Sequence, residues 1–150
     1  MASFMTDISA DPSDYDRAPE GWVLRVHENS FSGRAGPFYF RTDGVRPGVG
    51  FFSKEHHGNL NDMVHGGALM TLADMALFTI CYERLEGDMA VTVTLNSEFL
   101  GAGPIGKFIE ASGEVTRAGR SLIFARGMVE CEGKSLLAFS GILKRVQRRV

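Results

Sequence analysis

The chain is poor in the residues that announce several common protein classes. Its only two cysteines, Cys81 and Cys131, lie far apart in apolar periodic segments, with no paired-thiol or zinc spacing. That excludes a disulfide scaffold and predicts two buried, reduced thiols in a cytoplasmic protein. Charge of one sign is also scarce. The net value is −2, so no basic surface for nucleic acid is expected. No apolar run approaches the ~20 residues needed to cross a bilayer. The N-terminus lacks a basic stretch followed by an apolar core, so neither a secretion signal nor a membrane partner is predicted. Internal repeats and low-complexity segments are missing as well.

What is present suffices for one core, since 44% of 150 residues are hydrophobic. Residues 1–20 are polar and acidic and are broken by Pro12 and Pro19, with at most a short helical turn over Ser13–Asp16. They are predicted to form a mobile or surface-draped arm. Residues 21–150 form the single domain. Trp22–Val26 reads as a strand or the lip of the core, and Phe38–Arg41 and Val49–Phe52 as two short antiparallel strands separated by Asp43-Gly44 and Pro47-Gly48. Their Phe residues supply core or wall an apolar pocket. His56 and His57 are adjacent, point to opposite sides of an extended chain and have no third partner at ligand spacing, so no metal site is predicted.

The central stretch runs from Asn59 to Glu83. Polar turn formers lead to His65-Gly66-Gly67, and a helical run follows. Leu69, Leu72, Ala73, Ala76 and Ile80 share one face. Met70, Leu77 and Cys81 fill a neighbouring face, and Met75 and Phe78 much of the rest, which is the pattern of a buried helix. Asp74 is the one carboxylate in this apolar cylinder. It either meets solvent or a neighbouring hydroxyl, or it does chemistry, because buried carboxylates are costly and concentrate at active sites.

Beyond a turn at Gly87-Asp88, four strands are predicted over Ala90–Leu100, Lys107–Thr116, Leu122–Cys131 and Ser135–Arg145, as a meander. In the first of these, alternation sets Val91, Val93, Leu95 and Phe99 on one face and Thr92, Thr94, Asn96 and Glu98 on the other. Gly113, Gly127 and Gly141 mark bulges or close backbone approach inside strands. The class is α+β: one long helix with no second helix to pack on, covered by an antiparallel sheet curling around it. Open sheet edges and an uncovered helix face make a homodimer the expected repair.

Gly66-Gly67 opens the helix, where the first N–H groups have no intrahelical partner and carry the positive end of the dipole. This is either a plain turn or a place to polarise a carbonyl. Asp74 lies eight positions beyond Gly66, about 12 Å along the axis. If both act on one carbon, they come from two antiparallel helices of a two-fold dimer.

Asn59-x5-His65-Gly66-Gly67, then Asp74, then Thr92 in the next strand, resembles the hotdog-fold acyl-CoA thioesterases of the phenylacetate-pathway type, in the 4-hydroxybenzoyl-CoA thioesterase superfamily. The resemblance covers residues 35–146 and implies a hotdog fold with five to six strands around the helix. It implies an acyl-CoA substrate, no metal and no cofactor. Asp74 would be the catalytic carboxylate, as nucleophile or general base. Gly66 would hold the thioester oxygen through its N–H, with Asn59 nearby, while Asp74 and Thr92 would come from the opposing subunit. His65 would buttress the Asn59 loop or take a direct part. Asp62 departs from the pattern, standing where relatives often have Gly.

Gly67 and Met70 are further candidates for substrate contact. Arg117 and Arg120, flanking a turn, are candidates for the coenzyme A phosphates. The basic residues Lys144, Arg145, Arg148 and Arg149 read as a solvated tail. The aromatic N-terminal strands with Met70 and Met75 suggest an aryl or medium-to-long acyl group. A second reading on the same scaffold is a non-catalytic acyl-CoA binding or sensing protein. A dehydratase would need a His paired with an acid in another register. The expected assembly is a homodimer, extended to a dimer of dimers.

Overall fold

The computed structural model describes residues 12–41 and 46–146. The Asp43-Gly44 turn, Arg148 and Arg149, and residues 1–11 of the arm lie outside them. The apolar runs form strands where the pattern places them: β1 (Trp22–Arg25), β2 (Phe38–Arg41) and β3 (Gly48–Phe52). A short helix α1 (Phe31–Ala35) intervenes between β1 and β2, and a 3-10 turn covers Glu55–His57. The long helix α2 spans Gly66–Leu85, followed by β4 (Met89–Phe99), β5 (Phe108–Ala118), β6 (Leu122–Cys131) and β7 (Lys134–Val146). At the arm, a 3-10 turn at Pro12–Asp14 precedes Asp16, whose carbonyl accepts a 2.7 Å hydrogen bond from the Tyr39 hydroxyl and whose carboxylate pairs with Lys54. This part of the arm is draped.

All seven strands join one antiparallel sheet in the order β1-β2-β3-β5-β6-β7-β4. That is more than the five to six expected, because β1 pairs along its whole length with β2 and extends the sheet outward. The expected meander also needs correcting. β4 does not pair with β5 but lies at the far edge against β7. The reason is geometric. A 20-residue helix is ~30 Å long, so it carries the chain from β3, inside the sheet, across to the edge. β5 then returns beside β3. Alternation fixes which face a residue takes, not which strand lies alongside.

The sheet holds α2 through β3 to β7. The helix buries Leu69, Leu72, Ala73, Ala76, Leu77, Ile80, Cys81 and Leu85 against it, and Cys131 is buried as well. Met70, Asp74, Met75 and Phe78 are only half-buried, so the far side of α2 is incompletely covered. The helix ends at Glu86 and Gly87, both with positive φ, and Arg145 Nη1 donates to the Leu85 carbonyl at 3.1 Å while facing Asp88. Burial pushes the Cys81 thiol up to about 11, so it stays neutral and packs as an apolar group.

Gly141 sets how closely α2 approaches the sheet. A Cβ there would fall 2.3 Å from Leu77 Cδ1 and 2.8 Å from the Thr94 carbonyl oxygen. Leu77 can rotate only into a filled core, and the carbonyl belongs to a ladder. Gly141→Ala is therefore expected to lower unfolding free energy by about 1–3 kcal/mol, read as a lower urea midpoint with an unchanged slope.

Candidate functional site

The residues before α2 form a tight loop. Asn59 Oδ1 accepts from the N–H of Asn61 at 2.8 Å and of Met63 at 3.2 Å, and the Asn59 N–H donates to the Met63 carbonyl at 2.7 Å. This Asx turn leaves the Asn59 amide NH2 without an acceptor among the described residues. At its apex Asp62 has φ +56, the left-handed conformation that Gly takes freely and Asp tolerates. The departure at this position therefore keeps the loop that a Gly would make.

His65 is the N-cap of α2. Its Nδ1 accepts from the Gly67 N–H at 2.8 Å, which places the neutral ring's proton on Nε2. The N–H groups of Ala68 and Leu69 turn back to the His65 carbonyl at 2.9 and 3.3 Å. One donor of the first turn is left over, the Gly66 N–H, which no described residue accepts. Beside it lies the Phe99 ring, 3.1 Å from where a Gly66 Cβ would stand. The helix thus begins with one unspent, positively polarised N–H beside an aromatic wall. Gly67, expected to contact substrate, has its N–H taken by His65.

Two turns on, Asp74 faces the uncovered side of α2. The Thr92 hydroxyl of β4 donates to Asp74 Oδ1 at 2.8 Å, leaving Oδ2 without a described partner. This pairing overturns the simple alternation read from the sequence. Thr92 lies opposite Leu143, but Thr94 lies opposite Ile142, so Val93 is an extra residue in a β-bulge. The bulge resets the phase of β4. Thr92 joins Leu95, Ser97 and Phe99 on the side facing α2, while Thr94, Asn96 and Glu98 face away.

Asp74 sits in an open groove of about 490 Å³ lined also by Met70, Thr71 and Met75 of α2 and by Ser30, Phe31 and Ser32. The Met70 thioether accepts from the Ser97 hydroxyl at 2.7 Å. The structure therefore brings Asp74, Thr92 and Met70 together and sets His65, Gly66 and Gly67 at the helix start, with Asn59 in the loop leading to it. Arg117 and Arg120 are exposed on the β5–β6 hairpin, outside the groove lining. Sequence reasoning missed Ser30, Phe31 and Ser32. Ser30, a capping residue ahead of Phe31, was the available signal.

His56 and His57 are spent on backbone. His57 Nδ1 accepts from the Lys54 N–H at 2.9 Å and Nε2 bonds the Ala35 carbonyl at 2.7 Å, while His56 Nε2 lies 3.2 Å from the Gly36 carbonyl. Burial pushes the His57 pKa below its ordinary value.

The model of the Thioesterase superfamily matches residues 61–138, which carry the α2 start, Asp74 and Thr92. The chain belongs to that superfamily. Its sequence is 29% identical over 126 residues to a Pseudomonas aeruginosa protein named "Putative esterase PA0474", covering 83% of this chain and 94% of that protein. The PaaI protein of the E. coli phenylacetic acid degradation operon superposes with a TM-score of 0.70 at 24% identity, over 79% of this chain and 86% of its own. The BH2602 protein of Bacillus halodurans, solved with CoA, superposes with a TM-score of 0.66 at 26% identity, over 72% of each chain. A long helix on an open antiparallel sheet is the hotdog fold these proteins share. Membership in this superfamily supports hydrolase activity. Among the described residues no helix is long and apolar enough to cross a membrane.

Proposed function

We propose that the protein hydrolyses acyl-CoA thioesters to the free acid and coenzyme A. The observation that carries this reading is the Asp74 carboxylate, oriented by Thr92 and open to an apolar groove. Its free Oδ2 removes a proton from water as the water oxygen bonds to the thioester carbon, or attacks that carbon directly. The C–S bond then breaks, and the thiolate leaves to be protonated as coenzyme A; after direct attack, water then hydrolyses the acyl–Asp74 anhydride to the free acid and restores the carboxylate. A thioester is an activated acyl donor, so one oriented carboxylate and one polarised carbonyl suffice.

The carbonyl is polarised by the Gly66 N–H of the other subunit, with the Asn59 amide close by. Within one chain Gly66 and Asp74 are separated by about 12 Å of helix, too far to share a carbon. Two-fold pairing through β4 meets that need. β4 is one of the two edges of the sheet and exposes Met89, Val91 and Val93, an apolar edge of the kind that proteins usually cover. Antiparallel pairing there would set the two α2 helices side by side in opposite directions, giving two equivalent sites.

The CoA-bound state of the BH2602 relative supports coenzyme A as the carrier. Arg117 and Arg120 are exposed guanidinium groups available for its phosphates. The test is thiol release from a panel of acyl-CoAs by the purified protein, run with size-exclusion chromatography. Release from at least one member by a dimer or larger assembly is expected. Tight binding without release would mean an acyl-CoA sensor. A stable, active monomer would rule out the two-chain site.

A further inference from the structure

We propose that Phe31 sets which acyl groups the Asp74 groove accepts. The inference rests on the thioesterase reading above and adds a selectivity residue to it. Phe31 stands across the groove from Met70 and Met75, with Asp74 in the same lining. It is 75% exposed, a large apolar ring held in water beside the carboxylate. Single exposed apolar residues are ordinary. This one differs because the backbone beneath it is fastened at every turn.

Ser30 caps α1, accepting from the Gly33 N–H at 3.0 Å and donating to the His27 carbonyl at 2.8 Å. Ser32 then donates to Ser30, 3.0 Å away. Gly33 lies so close to the His27 carbonyl oxygen, 1.8 Å from where a Cβ would be built, that no side chain fits there. At the other end the Gly36 N–H donates to the Ser32 carbonyl at 2.8 Å, and His57 holds the Ala35 carbonyl. Ala35 packs against the core. One end of α1 is therefore anchored on the core while the other presents Phe31 over the groove. A rigid aromatic surface loses little conformational freedom when it packs on a ligand. Opposite it, Met70 and Met75 are adaptable and favour contact with apolar groups. An acyl chain lying between them covers the ring, and an acyl group too short to reach it gains nothing from it.

The test compares wild type, Phe31→Ala and Phe31→Leu on acetyl-, butyryl-, hexanoyl- and octanoyl-CoA, reading kcat/KM. The octanoyl-to-acetyl ratio should fall roughly tenfold in Phe31→Ala and recover in part in Phe31→Leu. An equal loss on every substrate would overturn the proposal, since a folding or positioning defect acts on all alike. A change in oligomeric state with an unchanged ratio would also overturn it and assign the ring to the subunit contact. If wild type releases no thiol from any acyl-CoA, the thioesterase reading falls by itself. Phe31 is then judged by calorimetry: loss of the affinity difference between octanoyl-CoA and free coenzyme A in Phe31→Ala supports it, and retention of that difference refutes it.

Discussion

Replacing Asp74 with Asn lowers thiol release by about a thousandfold, within the 10²–10⁴ range expected when a positioned base is removed. Asn has the same shape as Asp, and its amide oxygen still accepts from the Thr92 hydroxyl, so the side chain keeps its place. What it loses is the negative charge and the free oxygen that takes the proton or attacks carbon. The variant should unfold within a few degrees of wild type, because the replaced group is only half-buried. Steady-state turnover together with a thermal melt separates the two effects. Activity retained within tenfold would remove Asp74 from the chemistry.

The Gly66 N–H offers a sharper substitution, Gly66→Pro. Proline deletes this N–H outright, yet it is well tolerated at the first position of a helix, where that N–H has no helical partner. His65 before it already has φ −62 and ψ 138, the extended geometry proline prefers in its predecessor. Turnover should fall roughly 10²–10³-fold, the usual cost of one lost oxyanion donor. Gly66→Ala keeps the donor and asks only the Phe99 ring to yield a few tenths of an ångström, so it should lose far less. Mixing Gly66→Pro with Asp74→Asn after unfolding and refolding then tests the shared site. Half the dimers are mixed, and each of those holds one intact site, so about a quarter of wild-type activity returns. No recovery would place both groups in a single-chain site.

Much of this was legible because the informative residues stand out against a period. Asp74 interrupts an apolar helix, and Gly66-Gly67 marks where that helix begins. The five residues assigned to its core face are all buried in the structure. The Asp62 departure was visible too, but only φ explains why it leaves the loop intact. Other features left no periodic trace. α1 is five residues long, shorter than two helical turns, so no period sets Phe31 apart in the sequence. The pairing of β4 with β7 joins residues 38 to 57 positions apart, from Phe99 with Leu137 to Met89 with Val146, which alternation along one strand does not encode.

The extra residue at Val93 makes β4 behave like a text with a shifted reading frame. On one side of it Thr92 is read inward and Val91 outward; on the other Leu95, Ser97 and Phe99 are read inward. Losing Val93 would remove one exposed apolar side chain, a small change by area. It would also restore strict alternation with both halves kept on their present faces, because Thr92 and Thr94 already lie opposite the adjacent Leu143 and Ile142. Keeping Val93 but pairing it in a regular ladder would be the larger change, since the stretch Met89–Thr92 would turn over relative to Leu95, Ser97 and Phe99. Val91 would then face the carboxylate and the Thr92 hydroxyl would face away from it. The one-residue bulge thus lets Thr92 serve the acid while Leu95, Ser97 and Phe99 keep the helix side.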